Sequence, residues 1–233
     1  MAQDKKMQYE PELQARELEI LRDLGSESEL SEAEKREEWS RYMLSFRRYF
    51  KLAQNDAAQI LDIVVHTLIS HETAKRTPFV KNARELMINA KIFRDIVNKI
   101  IDNRLSLLER WDSERYHKVV GSNDKPIYSS ISPLCADERP ALVEICRISH
   151  QERQSLLPVL EFLDIFYPFV EDLLTRSAKS DEPSEISVPF RAYITGNNLN
   201  CIIELFRTWL KMGHRENVAN DEQLDPYFEL FDN

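Results

Sequence analysis

From Phe79 to about Lys118 the chain runs some 40 residues without a glycine or a proline. Apolar side chains recur along it at helical spacing: Ala83, Leu86, Ala90, Phe93, Val97, Ile100, Ile101, Leu108 and Trp111. A straight helix of that length measures roughly 60 Å. Such a rod needs other helices along its apolar arc, because an isolated amphipathic helix has nothing to bury that arc against. The pattern therefore predicts an all-α fold, an irregular bundle of roughly six to eight helices organised around one long helix at about 79–118.

The flanking segments agree. Pro11, then Leu13, Leu18, Leu21 and Leu24, with Gly25 as the stop, predict a helix over about 11–24. Ser31 and Glu34 form a capping-box pattern that opens a second helix, reaching about Ala53, with Trp39, Tyr42, Met43, Phe46, Tyr49 and Phe50 on its stripe. Ala57, Ile60, Leu61, Val64 and Leu68 predict one continuous third helix from Asn55 or Asp56. Beyond a loop over 120–136, Asp137 caps a helix to about Ser149. A further helix follows over about 151–176, interrupted or kinked by Pro158 and Pro168, with a last one from Asn198 to Gly213. The apolar run at 156–174 gathers Glu161, Asp164, Glu171 and Asp172 on one narrow arc, so that helix is expected to be central. The sequence organisation reads as a helical lead over 1–30, a bundle domain over 31–213 and an acidic, aromatic tail over 214–233.

Composition narrows the function classes. Only four glycines occur and no two lie within 15 residues of each other, so no Gly-rich phosphate loop can form. Three widely spaced cysteines, Cys135, Cys146 and Cys201, do not make a disulfide framework; they suit a reducing compartment, cytoplasm or nucleus. The N-terminal residues show no apolar leader core. Four carboxylates in the most apolar stretch argue against a bilayer span, and no membrane partner is expected.

The formal charge of −9 is unevenly spread. Residues 75–118 hold 11 basic and 6 acidic side chains, whereas 161–233 hold 6 and 14. Lys75, Arg76, Lys81, Arg84 and Lys91 sit at or before the N-terminal half of the long helix, where the helix dipole disfavours cations. That placement makes them candidate contacts to an anion or a nucleic acid. Against this, Asp95, Asp102 and Glu109 share the solvent face, and no aromatic is expected among these cations on the exposed side. A solvated face or a protein partner is the preferred explanation of them. Arg94 and Arg104 fall in or beside the apolar arc. They are expected either to pair with Glu161, Asp164 and their acidic neighbours or to snorkel to solvent.

Chemistry-bearing motifs are sparse. Cys146 and His150 stand four apart and could place two ligands on one helix face, but no further ligands present themselves, and a buried thiol beside an ordinary histidine is the plainer reading. Glu114 and His117 match one Glu-x-x-His step of di-iron bundles without its second copy. No nucleophile elbow is present. No catalytic residue, metal or cofactor is assigned. The stretch Ser155–Leu163 resembles the Leu-Pro-x-Leu-x-x-Leu wording of helical solenoid repeats, but it occurs once, and a long unbroken helix suits such units poorly. In the tail, Tyr227, Phe228, Leu230 and Phe231 put four large apolar side chains into five positions flanked by acids. They either pack back on the bundle or insert into a partner's groove. The sequence reading is a non-catalytic helical adaptor or scaffold subunit that joins other protein subunits, a second copy of itself among the options. The alternative is an RNA- or DNA-associated helical protein using the basic segment.

Overall fold

The computed structural model describes residues 9–26, 28–110, 139–179 and 199–213. Every regular element among them is an α-helix and none is a strand. In chain order they are α1 (Tyr9–Leu24), α2 (Glu32–Tyr49), α3 (Gln54–Ile60), α4 (Val65–Glu72), α5 (Val80–Arg110), α6 (Arg139–Arg153), α7 (Leu157–Lys179) and α8 (Leu199–Gly213). The described residues fall into two compact units, divided inside α5 between Lys91 and Ile92.

In the first unit α2 packs on α1 and α4, and α3 packs on α4. α2 opens with the expected capping box. The Ser31 hydroxyl accepts from the Glu34 N–H at 3.4 Å, and Glu34 accepts from the Ser31 N–H at 2.8 Å. The Ser31 bonds hold the Glu34 carboxyl below the usual carboxylate range. The helix then buries Trp39, Tyr42, Met43 and Phe46, the stripe read from the sequence.

The expected single helix over 55–68 is broken. α3 ends at Ile60, and Asp62 takes a left-handed conformation with φ 57°. The Ile63 N–H reaches back to Ala58 O at 3.0 Å and the Asp62 N–H to Gln59 O at 3.3 Å. This pair of bonds is a Schellman motif, which closes a helix by satisfying its last carbonyls. The same closure recurs at Lys51 (φ 52°) after α2 and at Ala74 (φ 53°) after α4. There Leu52 N–H bonds Arg47 O and Lys75 N–H bonds Ser70 O, both at 3.0 Å. Apolar periodicity continues through Val64, but Val64 is 68% exposed: its turn of chain points away from the core.

A buried polar cluster ties three of these helices. Glu72, at the end of α4, is almost wholly inaccessible. Its carboxylate accepts from Arg47 Nε and, at 3.3 Å, from Arg47 Nη2, while Gln54 Nε2 donates to it at 2.8 Å. The Glu72 carbonyl accepts from the Ser40 hydroxyl at 2.6 Å. Thus α2, the start of α3 and the end of α4 meet on one residue. Further out, Tyr42 donates to the buried Glu17 of α1 at 2.8 Å, and Lys35 donates to the Gly25 carbonyl at 2.9 Å.

The second unit is built from α5 beyond Lys91 with α6, α7 and α8; α6 contacts both α7 and α8. Its core contains Ile92, Phe93, Ile96, Val97 and Ile100 of α5, with Leu142, Ile145, Leu163 and Phe206. α6 continues to Arg153, so Gln151 does not begin the next helix as expected. Gln154 closes α6 in a left-handed conformation, its N–H bonded to His150 O at 2.9 Å. Pro158 therefore sits in the first turn of α7, where its missing N–H costs no helical bond. Pro168 lies within α7 on the exposed side with Asp164, whose carbonyl loses its helical donor where water can replace it. On α7 the exposed Asp164 and Pro168 lie on the polar arc expected from the sequence. Val159, Phe162, Leu163, Phe166 and Tyr167 are buried as expected, and among the described side chains of this helix only Ile165 is an apolar one left outside. In α5, by contrast, Leu86, Met87 and Ile88 are buried in succession, as are Ile92, Phe93 and Arg94. Over 86–100 the long helix is covered more completely than its apolar arc implies.

Two outcomes test this picture. Lys51→Gly and Ala74→Gly remove the left-handed penalty of a Cβ-bearing residue. Each raises stability by about 0.5–1 kcal/mol, a few degrees in melting temperature. Arg47→Met strands the Glu72 carboxylate in the interior and lowers unfolding free energy by about 2–4 kcal/mol in denaturant titration, whereas Glu72→Gln costs less.

Candidate interaction surfaces

The basic segment flanks the start of α5. Lys75, Arg76 and Lys81 are exposed; Arg84 and Lys91 are half-buried. The first turn of α5 carries no acidic side chain, so nothing there offsets Lys81 against the helix dipole. Between Arg76 and Lys81 stand Phe79, 78% exposed, and Val80, 41% exposed. This corrects the expectation that no aromatic lies among the cations on the outer side. Extrapolating helical period from Ala83 and Leu86 puts Phe79 on the inner arc, but α5 starts only at Val80. Phe79 merely lends its carbonyl to the Ala83 N–H, at 2.9 Å, and its ring stays outside.

His71 anchors the inner side of this stretch. Its ring is buried, packs edge-on against Trp39 at 5.8 Å and donates from Nδ1 to the Arg76 carbonyl at 3.1 Å. That bond requires a proton on Nδ1, which fixes the tautomer whenever the ring is neutral. Burial lowers the proton affinity of His71 below the usual histidine range. The Arg76 bond opposes this, and the Arg76 charge reinforces it.

A second surface lies on α8 and was not anticipated. Ile203, Phe206 and Leu210 face the core. Leu205, Trp209 and Met212, spaced i, i+4 and i+7, form another stripe on which Leu205 is 38% and Met212 79% exposed and Trp209 is half-buried. Trp209 is held from behind by ring contacts to Phe162 at 5.9 Å and Phe206 at 6.0 Å. Beside the stripe, Arg207 pairs with Glu204 at 2.6 Å and lies 3.7 Å from Glu144. The bond from Arg147 holds the Glu144 carboxyl below its usual range. The spacing was legible; its exposure was not.

The expected ion-pair network is placed only in part. Asp164 pairs across to α5, and the partner shown is Lys99. Asp164 is largely exposed, so the pair contributes little, at most about 1 kcal/mol. Arg94 is drawn inside, 2% exposed, and Glu161 is half-buried. The Arg104 side chain lies outside the described residues, as do Glu114, His117, Tyr227, Phe228, Leu230 and Phe231.

Cys146 and His150 are both buried on α6. Burial pushes the Cys146 thiol far above its ordinary range, so it is not a thiolate nucleophile at neutral pH. Among the described residues no three His, Cys, Asp or Glu side chains are grouped to hold a metal ion. No helix among them is long and apolar enough to cross a membrane. No family model matches the chain, and no curated protein or solved structure is significantly similar to it.

The state of His71 makes stability depend on pH. Its folded-state affinity lies below the unfolded value of about 6.5, so the unfolded chain binds more protons as pH drops past that point. The contribution is complete above about pH 6.5 and falls away as pH decreases from there toward the folded-state value. Melting curves between pH 7.5 and 5.5 should show this decline, and His71→Gln should flatten it.

Proposed function

We propose that the chain is a non-catalytic helical adaptor that binds a helix of a partner protein on the outward stripe of α8. The observation behind this reading is Leu205, Trp209 and Met212 standing in line and accessible, on a helix whose opposite face is already buried. An amphipathic partner helix meets such a line through its own i, i+3, i+4 anchors. Trp209 supplies the large aromatic that dominates interface energetics. The buried free thiol of Cys146 favours a reducing compartment, cytoplasm or nucleus, for that role.

The test uses the full chain with Leu205→Asp and Met212→Asp combined. Both positions are accessible, so melting temperature should stay close to the parent. Proteins captured by the parent should be lost from the double variant and retained by Thr208→Asp on the neighbouring exposed position. Equal capture by all three chains overturns the reading. The nucleic-acid alternative is favoured by one observation, the exposed Phe79 ring among Arg76 and Lys81, the composition of a single-strand stacking site. Binding of single-stranded RNA that weakens with salt and is abolished by Phe79→Ser supports it.

A further inference from the structure

The collar formed by Lys75, Arg76, Phe79, Val80 and Lys81 presents cations and apolar side chains within seven consecutive positions. Its three cations are exposed, and none of them enters an ion pair among the described residues. Its two apolar side chains are likewise uncovered. A ligand that satisfies both must bring carboxylates or phosphates together with sizeable apolar groups.

The chain itself contains a segment of that chemistry. Beyond Gly213 lie 20 residues with one arginine and six carboxylates: Glu216, Asp221, Glu222, Asp225, Glu229 and Asp232. Interleaved with the last of these are Tyr227, Phe228, Leu230 and Phe231. We propose that this C-terminal segment, residues 225–231, docks on the collar of its own chain. Asp225 and Glu229 meet Lys75, Arg76 and Lys81. Tyr227 and Phe228 meet the Phe79 ring, and Arg76 can stack on an aromatic face.

Two arguments favour this occupant over a polynucleotide. The residues before the tail already bear a net charge of −4, which disfavours a separate polyanion, whereas the acidic segment is tethered to the same chain and meets the collar at high effective concentration. A phosphate backbone also has no counterpart for Val80, whereas Leu230 and Phe231 do. Twelve residues lead from Gly213 to Asp225, up to about 40 Å of extended chain. The inference does not depend on the α8 stripe, so either can fail alone.

Chymotrypsin cleavage at Tyr227 and Phe228 in the full chain reads the docking, because a docked segment is cut only when it releases. Three alterations should each raise the cleavage rate by about tenfold or more: Phe79→Ser, the collar reversal Lys75→Glu/Lys81→Glu, and the tail reversal Asp225→Lys/Glu229→Lys. The two reversals combined should restore slow cleavage, an outcome that general destabilisation cannot produce. Unchanged melting temperatures confirm that the collar variants remain folded. Carbodiimide cross-linking of a mixture of isotope-labelled and unlabelled chains should join Lys75 or Lys81 to Asp225 or Glu229 within one chain. The proposal is overturned by cleavage rates indifferent to the collar or by links found only between chains. It is equally overturned by single-stranded RNA binding to the collar that the tail reversal leaves unchanged.

Discussion

The first unit depends on one buried charge. A carboxylate withdrawn from water loses several kcal/mol of hydration, and Glu72 is withdrawn almost entirely. What makes this tolerable is the number of donors aimed at it: both Arg47 contacts and the Gln54 amide. Those donors come from different helices, so the charge is stable only when α2, α3 and α4 are assembled. Removing a donor leaves an uncompensated buried charge, so the cluster is costly to break. The apolar core around it is supplied by α2 together with α1, α3, α4 and the start of α5.

The scarcity of glycine affects how helices end. Gly25 stands beyond α1 where a stop is expected, but α2, α3, α4 and α6 are closed by Lys51, Asp62, Ala74 and Gln154 in left-handed conformations. Asp tolerates that region through its short polar side chain, while lysine, alanine and glutamine adopt it at a cost. The Schellman bonds at Lys51, Asp62 and Ala74 and the single bond at Gln154 offset part of it. One such turn lies between Glu72, in its cluster, and the Lys75–Lys81 stretch, with the His71 bond to the Arg76 carbonyl bridging it. The exposed collar is therefore anchored to a rigid interior on its N-terminal side.

Both outward surfaces combine apolar and charged side chains, although their charge differs. The α8 stripe is flanked by Arg207, which is already paired with Glu204. Its free chemistry is apolar, suited to a helix. The collar retains cationic chemistry beside Phe79. The two proposals assign the α8 stripe to a helical partner and the collar to the acidic C-terminal segment of the same chain.

Local information was sufficient for the all-α class, the capping box at Ser31 and the stripe of Trp39, Tyr42, Met43 and Phe46. These rest on backbone bonds and side-chain spacing within a few residues, which sequence states directly. The α8 stripe was also written in the spacing of Leu205, Trp209 and Met212, yet period alone cannot tell a covered face from an open one. Tertiary structure decided that question, along with the break at Asp62, the outward ring of Phe79 and the inward carboxylate of Glu72. Each depends on which neighbouring helix arrives at a given face, and that is a property of packing between segments distant in the chain. Sequence determined which faces exist; only the fold determined which of them are left open.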